Sequence, residues 1–507
     1  MSSVRHRLTG CLLLALFTTP AMAGNDRDTP ATITVPDHAL ATRLADSIAL
    51  AESGDSVGAL LGFERVFADP AFANLPDAQR VDGWVTAGRT AFNARQGAQA
   101  RTYLTAALGL APDDPRALYV MGRLLLWQDD IGQGADYITR SLRASDTFLA
   151  DLDVQMAYSL IDRLQDQPAR RRALLQVMFD RDWTDDGIEP AGLWLQLATL
   201  QADAGDTARV AATVARIDKP MEVVNLRSDK RFDALVDRRG PRFDALQSAQ
   251  RHADALRVQG LLRPERSDRL VEFTDTLLLL GEHEQVLSTT DRLYERLSPP
   301  DAPRAFAGGH YAAWLLAHRA TAEHRLGRDA QAEKTLLLAA SIREEAATDN
   351  PVTALYLASW YLARQQPALA LQAIAGLDPS PMDEEFLRQW VYFSAYRTLG
   401  DAERSGQARQ WLQTNEGVGR IAFAEVLLTE GRLDEAAQRL IADLQAPAHR
   451  QDALQVLQDF RMAAPMRGDE ANDKAWQQLL QRADLQAAAR AVGRIERQPI
   501  YSRSAWR

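Results

Sequence analysis

The side chains that could do catalytic chemistry do not form a complete catalytic pattern. His283 and Glu284 begin the H-E-x-x-H motif, in which two histidines on one helix face bind zinc, but Leu287 stands where the second histidine is needed. The chain also lacks the G-x-S-x-G turn of serine hydrolases, the G-x-x-x-x-G-K-[ST] phosphate loop and the G-x-G-x-x-G dinucleotide loop. The sequence therefore predicts no catalytic residues and no cofactor.

Three histidines lie close together in the sequence, but their spacing does not suit a metal. His310, His318 and His324 are eight and six residues apart, whereas two ligands on one helix face need a separation of about four residues. We interpret them as surface histidines or as histidines that pack between helices. The sequence therefore predicts no metal site.

Arginine and aromatic side chains between residues 82 and 127 suit binding better than catalysis. A guanidinium group binds a carboxylate through two parallel hydrogen bonds, and aromatic rings accept apolar side chains. The candidate binding residues are Arg89, Phe92, Asn93, Arg116, Tyr119, Arg123 and Trp127. Whether they can act together depends on the elements that carry them.

Those elements repeat with a period of 34 residues. Gly88 and Leu104 in residues 81–114 return as Gly122 and Ile138 in residues 115–148. A period of this length, with small residues alternating with large ones, is typical of stacked helical hairpins, because the small residues let two helices approach closely.

The two periods resemble the tetratricopeptide repeat family, whose spacing is W-x2-L-G-x2-Y-x8-A-x3-F-x2-A-x4-P. Residues 81–114 match with Ala87 for the leucine, Ala91 for the tyrosine and Leu104 for the phenylalanine. Residues 115–148 match more loosely, with Asp146 where proline is usual. The resemblance implies an all-α fold, a right-handed superhelical array of antiparallel helical hairpins.

The resemblance also implies where a partner binds. In the family, the first helix of each repeat lines a concave groove through positions 2, 5, 9, 12 and 13 of the repeat. In this chain those positions are Asp82, Val85, Arg89, Phe92, Asn93, Arg116, Tyr119, Arg123, Leu126 and Trp127. The expected ligand is an acidic or carboxylate-ended peptide. The alternative is that the arginines are solvated or paired with Asp and Glu of neighbouring helices.

Glycine turns and composition extend the all-α prediction over most of the chain. Helical periodicity starts near residue 38, and turns at glycines mark further hairpins up to Leu440. Residues 471–495 are predicted to form a further helix that caps the array. The array divides into two blocks, 38–218 and 263–495, joined by a connector at 219–262. Residues 24–37 are predicted to be a flexible lead-in. The tail, 496–507, lacks helical periodicity and is either disordered or docked on the array.

The first 23 residues have the pattern of a secretory signal peptide. Basic residues at Arg5 and Arg7 precede a short apolar run, and Ala21-Met22-Ala23 forms an A-x-A cleavage site. We therefore expect an exported, periplasmic protein. The only cysteine, Cys11, would leave with this peptide, so no disulfide is expected in the mature chain.

Net charge and composition limit the classes of partner that the protein can bind. The formal net charge is −10, which disfavours nucleic acid and anionic membrane surfaces. No apolar stretch after the leader is long enough to cross a bilayer. A protein or peptide partner is expected, and the oligomeric state is left open.

Three classes of function remain. The favoured one is a non-catalytic scaffold of the bacterial envelope that binds proteins or peptides along a concave face. A narrower alternative is a component of a secretion or polysaccharide-export assembly. The third is an enzyme whose catalytic residues are scattered along the chain, against which the lack of any linked acid, base and nucleophile argues.

Overall fold

The computed structural model describes residues 37–378, 381–462 and 470–502. The predicted signal peptide and residues 24–36 of the lead-in lie outside the described residues, as do tail residues 503–507. Within the described ranges the chain forms 25 α-helices and two short pairs of parallel strands. The predicted all-α class, built of antiparallel helical hairpins, is confirmed.

The chain divides into two compact units between Gln201 and Ala202. We call residues 37–201 the N-terminal unit and residues 202–502 the C-terminal unit. The predicted block boundaries at residues 218 and 262 stay predictions. None of the helices in the described ranges is long and apolar enough to span a membrane.

The N-terminal unit consists of helical hairpins that stack on one another. Its helices are α1 Asp37–Glu52, α2 Ser56–Phe67, α3 Asp77–Asn93, α4 Gly97–Leu110, α5 Pro115–Trp127, α6 Ile131–Ala144, α7 Val154–Arg163, α8 Pro168–Asp180 and α9 Ala191–Asp203, the last two residues of which fall in the C-terminal unit. A 3₁₀ turn, Pro70–Asn74, follows α2. Trp84, the first residue of the repeat pattern, stacks on Phe67 with ring centroids 3.7 Å apart.

The 34-residue period reappears as ion pairs between consecutive repeats. Arg116 pairs with Asp82 at 2.6 Å and Arg170 with Asp136 at 3.0 Å, each partner lying 34 residues earlier in the chain. These side chains are more than a third exposed, so each pair contributes only about 0–1 kcal/mol. The pairs show the register of the repeats, because each one joins equivalent positions of successive hairpins that lie side by side.

The C-terminal unit continues the hairpins and adds two small sheets. Its helices are α10 Thr207–Val214, α11 Pro220–Ser228, α12 Ala245–Leu262, α13 Ser267–Leu280, α14 His283–Leu297, α15 Gly309–Arg325, α16 Asp329–Ser341, α17 Pro351–Ala363, α18 Pro367–Ala373, α19 Met382–Leu399, α20 Ala402–Thr414, α21 Arg420–Thr429, α22 Leu433–Gln445, α23 Arg450–Val456, α24 Glu470–Leu480 and α25 Ala483–Val492. Its strands are β1 Ala305–Phe306, β2 Arg343–Glu344, β3 Asp459–Arg461 and β4 Arg497–Tyr501, with β1 paired to β2 and β3 to β4.

The described part of the tail docks on the C-terminal unit as strand β4. Ile500 is fully buried in a cluster that includes Met221 of α11 and Leu279 of α13. Because β4 also pairs with β3, the tail joins elements from the beginning and the end of this unit. The sequence left open whether the tail is disordered or docked on the array, and residues 496–502 are docked.

Ion pairs also connect the beginning and the end of the C-terminal unit. Arg227 at the end of α11 pairs with Glu496 at 2.9 Å, and Arg494 pairs with Asp233. The hydrogen bond from each arginine reaches a residue more than 260 positions away in the sequence. Residues in and just after α11 are therefore in direct contact with residues near the end of the C-terminal unit, which a plain open array of hairpins would not produce.

The close approach of α5 and α6 predicts the effect of a single methyl group. A Cβ at Gly122 would lie 2.7 Å from Cγ1 of Ile138 and 3.0 Å from the carbonyl oxygen of Gly134, so Gly122→Ala should destabilise the fold by about 1–3 kcal/mol. Gly109, also helical, has open space around its Cβ position, and Gly109→Ala should stabilise by up to about 1 kcal/mol. Urea unfolding of both variants measures the difference, and equal midpoints would contradict the packing described.

The docked tail predicts a second effect on stability. Ile500→Ala removes a fully buried side chain and should cost about 2–5 kcal/mol in the free energy of unfolding. Arg497→Ala, an exposed position on the same strand, should change stability by less than about 0.5 kcal/mol. Thermal unfolding of the full chain tests both. A wild-type melting temperature for Ile500→Ala would show that the tail is not docked.

Candidate functional site

Helices α3 and α5 place the candidate residues. Arg89, Phe92 and Asn93 are three and four residues apart on α3, so they share one side of that helix. Arg123 comes from α5, and its guanidinium carbon lies 5.4 Å from the centre of the Phe92 ring. The structure thus brings residues of two consecutive repeats together, as the period requires.

Tyr119 lies beneath this group. Its ring centre is 5.9 Å from the guanidinium carbon of Arg123, and its other face stacks on Phe148 at 4.5 Å. The side chain is only 2% exposed. Tyr119 therefore supports Arg123 and offers almost no surface of its own to a ligand.

The hydroxyl of Tyr119 is buried with no hydrogen-bond partner in the described ranges. Burial raises the pKa of this hydroxyl to about 12, with a smaller opposing effect from Arg123 and smaller raising effects from Asp151 and Asp153. Those two carboxylates therefore lie near the group. Any ligand that binds Arg123 must compete with their negative potential.

Arg116 is not available for binding a carboxylate. Its guanidinium donates to Asp82 at 2.6 Å and to Asp114 at 3.1 Å. Burial alone would lower the pKa of Arg116, but these hydrogen bonds raise it above its ordinary value. The sequence left open that the arginines pair with acids of neighbouring helices. Arg116 does so, because both of its partners are aspartates of the array.

Arg89 and Arg123 differ from Arg116. Both side chains are exposed, and neither forms an ion pair or hydrogen bond to any residue that the structure describes. Asn93 is likewise exposed with no such partner. The position one repeat after Arg123 is Ala157, which is fully buried, so the row of arginines ends there.

Trp127 occupies a separate place at the end of α5. It is 60% exposed, and its ring packs over Gly97, the first residue of α4. Trp127 therefore adds apolar surface beside α4 and is not part of the cluster that Phe92 and Arg123 form. The compact candidate site is accordingly Arg89, Phe92, Asn93 and Arg123 above Tyr119.

The three histidines noted in the sequence have different partners. Nδ1 of His310 lies 2.6 Å from Glu344, that of His318 lies 2.8 Å from Thr274, and that of His324 lies 2.8 Å from Asp329. Among the described residues, no cluster of three His, Cys, Asp or Glu side chains is placed to bind a metal.

Comparison with known proteins adds little. No family model matches the chain, and no curated protein matches it. Among solved structures, the complex of Naa15 and Naa10 bound to HypK-THB contains a chain that is 12% identical at a TM-score of 0.26, with 89% of this chain and 67% of that chain covered. A TM-score this low supports no conclusion about the present chain, so the fold rests on the hairpins themselves.

The buried hydroxyl of Tyr119 generates a prediction. Tyr119→Phe should leave stability at neutral pH unchanged or raise it by up to about 1 kcal/mol, because no hydrogen bond is lost. Tyr103→Phe should cost about 0.5–1.5 kcal/mol, because Nε2 of Gln99 donates to the Tyr103 hydroxyl at 2.7 Å.

The stability of Tyr119→Phe should also depend on pH differently from that of the wild type. Since the folded-state pKa of Tyr119 is about 12 and that of an unfolded tyrosine is about 10, the stability due to the neutral hydroxyl is complete below pH 10 and is lost as pH rises to 12. Tyr119→Phe should therefore lose less stability than wild type over this interval in urea titrations. Parallel losses would contradict the assignment.

Proposed function

We propose that this protein is a non-catalytic scaffold that binds a protein or peptide partner through the N-terminal unit. The observation that supports this is a pair of exposed arginines, Arg89 and Arg123, which occupy the same position in consecutive repeats and lack ionic partners among the described residues. Two cations at repeat spacing match a ligand that carries more than one carboxylate.

The chemistry of the site favours an acidic or carboxylate-ended segment. Each guanidinium presents a planar set of donors that matches a carboxylate in two-point fashion. Phe92 lies against Arg123 and is only half-buried, so it leaves an apolar contact beside that charge. Asn93 adds an amide that can donate to and accept from a peptide backbone.

The expected location is the periplasm. Support comes from the order of a basic segment, an apolar run and Ala21-Met22-Ala23 at the start of the sequence. Within this proposal the binding surface faces an oxidising compartment, and its residues need no cysteine. Cleavage after Ala23 can be checked by N-terminal mass analysis of the exported protein.

The test reverses the two charges. The double variant Arg89→Glu with Arg123→Glu should reduce capture of acidic native partners by at least about tenfold, since each lost charge-assisted contact is worth about 1.5–3 kcal/mol. Capture from an envelope fraction with the full mature chain, followed by mass spectrometry, measures the loss. Binding of a synthetic acidic peptide from an identified partner gives the affinity ratio.

A matched control separates the site from net charge. Arg65 and Arg143 are also exposed arginines of the N-terminal unit with no side-chain partner among the described residues. Arg65→Glu with Arg143→Glu makes the same change in net charge and should leave capture intact. If both double variants lost partners equally, or neither did, the proposed site would be wrong.

A further inference from the structure

His283, the histidine that begins the incomplete H-E-x-x-H motif, lies where the docked tail strand ends. It is the first residue of α14 and follows the turn at Gly281, which ends α13. The ring of Tyr501, the last residue of β4, has its centre 5.5 Å from that of the imidazole. A Cβ at Gly281 would come within 2.6 Å of the Tyr501 ring, so the end of the tail packs directly on this turn.

Two arginines hold the end of the tail in place. The guanidinium carbon of Arg325 from α15 lies 5.0 Å from the centre of the Tyr501 ring, and that of Arg461 from β3 lies 4.4 Å from it. Arg461 also donates to the Tyr501 hydroxyl at 3.2 Å, and Arg325 donates to the carbonyl of Ser502 at 3.1 Å. The contacts that fix the tail therefore bring two positive charges to the surroundings of His283.

His283 is neutral in these surroundings. Its Nδ1 is buried with no hydrogen-bond partner among the described residues. Burial lowers the pKa of His283 from 6.5 to about 4 with smaller contributions from Arg325 and Arg461, whereas Glu284 opposes the change. Glu284 is itself paired with Arg328 at 2.6 Å. A proton on His283 would thus add a third positive charge beside two guanidinium groups.

We propose that His283 is a proton-dependent release for the docked tail. In acid, the protonated imidazole is repelled by Arg325 and Arg461, and β4 leaves the C-terminal unit. Undocking removes the Tyr501 ring that covers the imidazole and returns the charged form to water. It also uncovers the pairing edge of β3 and the apolar cluster in which Ile500 is buried. This device belongs to the C-terminal unit and does not depend on the binding site proposed for the N-terminal unit.

The pH range of the release follows from proton linkage. The pKa of His283 is about 4 with the tail docked and moves back towards 6.5 when the tail is released. The contribution of the neutral imidazole to docking is therefore complete above pH 6.5 and is lost as pH falls towards 4. Asp233, which pairs with Arg494 in the same closure, has a pKa below its ordinary value of 3.8. The interval between pH 7.5 and 5 therefore separates His283 from Asp233.

Hydrogen exchange of the full mature chain measures docking directly. The amide of Ser502 donates to the carbonyl of Arg461 and is expected to exchange when β4 leaves β3. After correction for the intrinsic rate, the opening constant should rise at least about tenfold from pH 7.5 to 5, and roughly 30-fold if the pKa returns fully to 6.5. A rise smaller than tenfold would overturn the proposal.

Two histidine variants assign the effect. His283→Gln cannot take up a proton and loses no hydrogen bond to Nδ1, so the opening constant should no longer depend on pH over this interval. Thermal unfolding at pH 7.5 checks that the variant folds. His449→Gln, at a half-buried histidine of the same unit, should keep the wild-type rise. If the rise persisted in His283→Gln, or disappeared in His449→Gln, another group would control the tail.

The reciprocal effect can be measured on the histidine itself. Tyr501→Ala removes the covering ring, so His283 should titrate at a higher pH than in the wild type when its ring protons are followed by NMR. Tyr501→Phe keeps the ring and should leave the midpoint near the wild-type value. Equal midpoints in Tyr501→Ala and the wild type would show that docking and protonation are not linked.

Discussion

A two-helix hairpin cannot bury its apolar face alone, and the N-terminal unit is built around that constraint. The solution is visible where α5 meets α6: Gly122 and Gly134 remove side chains at the contact, so that Ile138 and Leu126 pack directly on the opposite helix. Stacking then fixes register, and register places equivalent residues of successive repeats side by side. The pairing of Arg116 with Asp82 and the adjacency of Phe92 to Arg123 both follow from it.

Many of the helical hairpins could be predicted from the sequence, because the residues that mark their turns lie within a few positions of one another. Turn glycines such as Gly54, Gly205 and Gly400 adopt positive φ values of 72–90°, and the aspartate after each one caps the next helix. In other hairpins the residue with positive φ is not glycine: Arg95, Asp129 and Gln365 make the same turn at φ values of 58–69°. The turn between α17 and α18 therefore has no glycine to mark it, since Gln365 takes the left-handed conformation at some cost in strain.

The remaining features depend on contacts that no local pattern encodes. Burial of Tyr119 is set by Phe148, which comes from the irregular segment after α6, and the repeat pattern assigns no position there. The docked tail depends on residues from α11 to β3, separated from β4 by up to 280 positions. The sequence indicated only that residues 496–507 are not helical. Strand β4 forms because β3 and the apolar cluster supply the pairing and the burial that a short isolated strand lacks.

In a repeat protein rich in both arginine and aspartate, the ions without partners are the informative ones. Arg116 and Arg170 show the common outcome, because each is paired with an acid one repeat earlier. Arg89 and Arg123 stand at equivalent positions of the same array, yet neither forms an ion pair with a residue that the structure describes. Exposed arginines without an ionic partner also include Arg65 and Arg143, so lack of pairing alone does not mark a site. Arg89 and Arg123 differ from them because they repeat at the 34-residue spacing of the hairpins, and the proposed binding depends on that repetition.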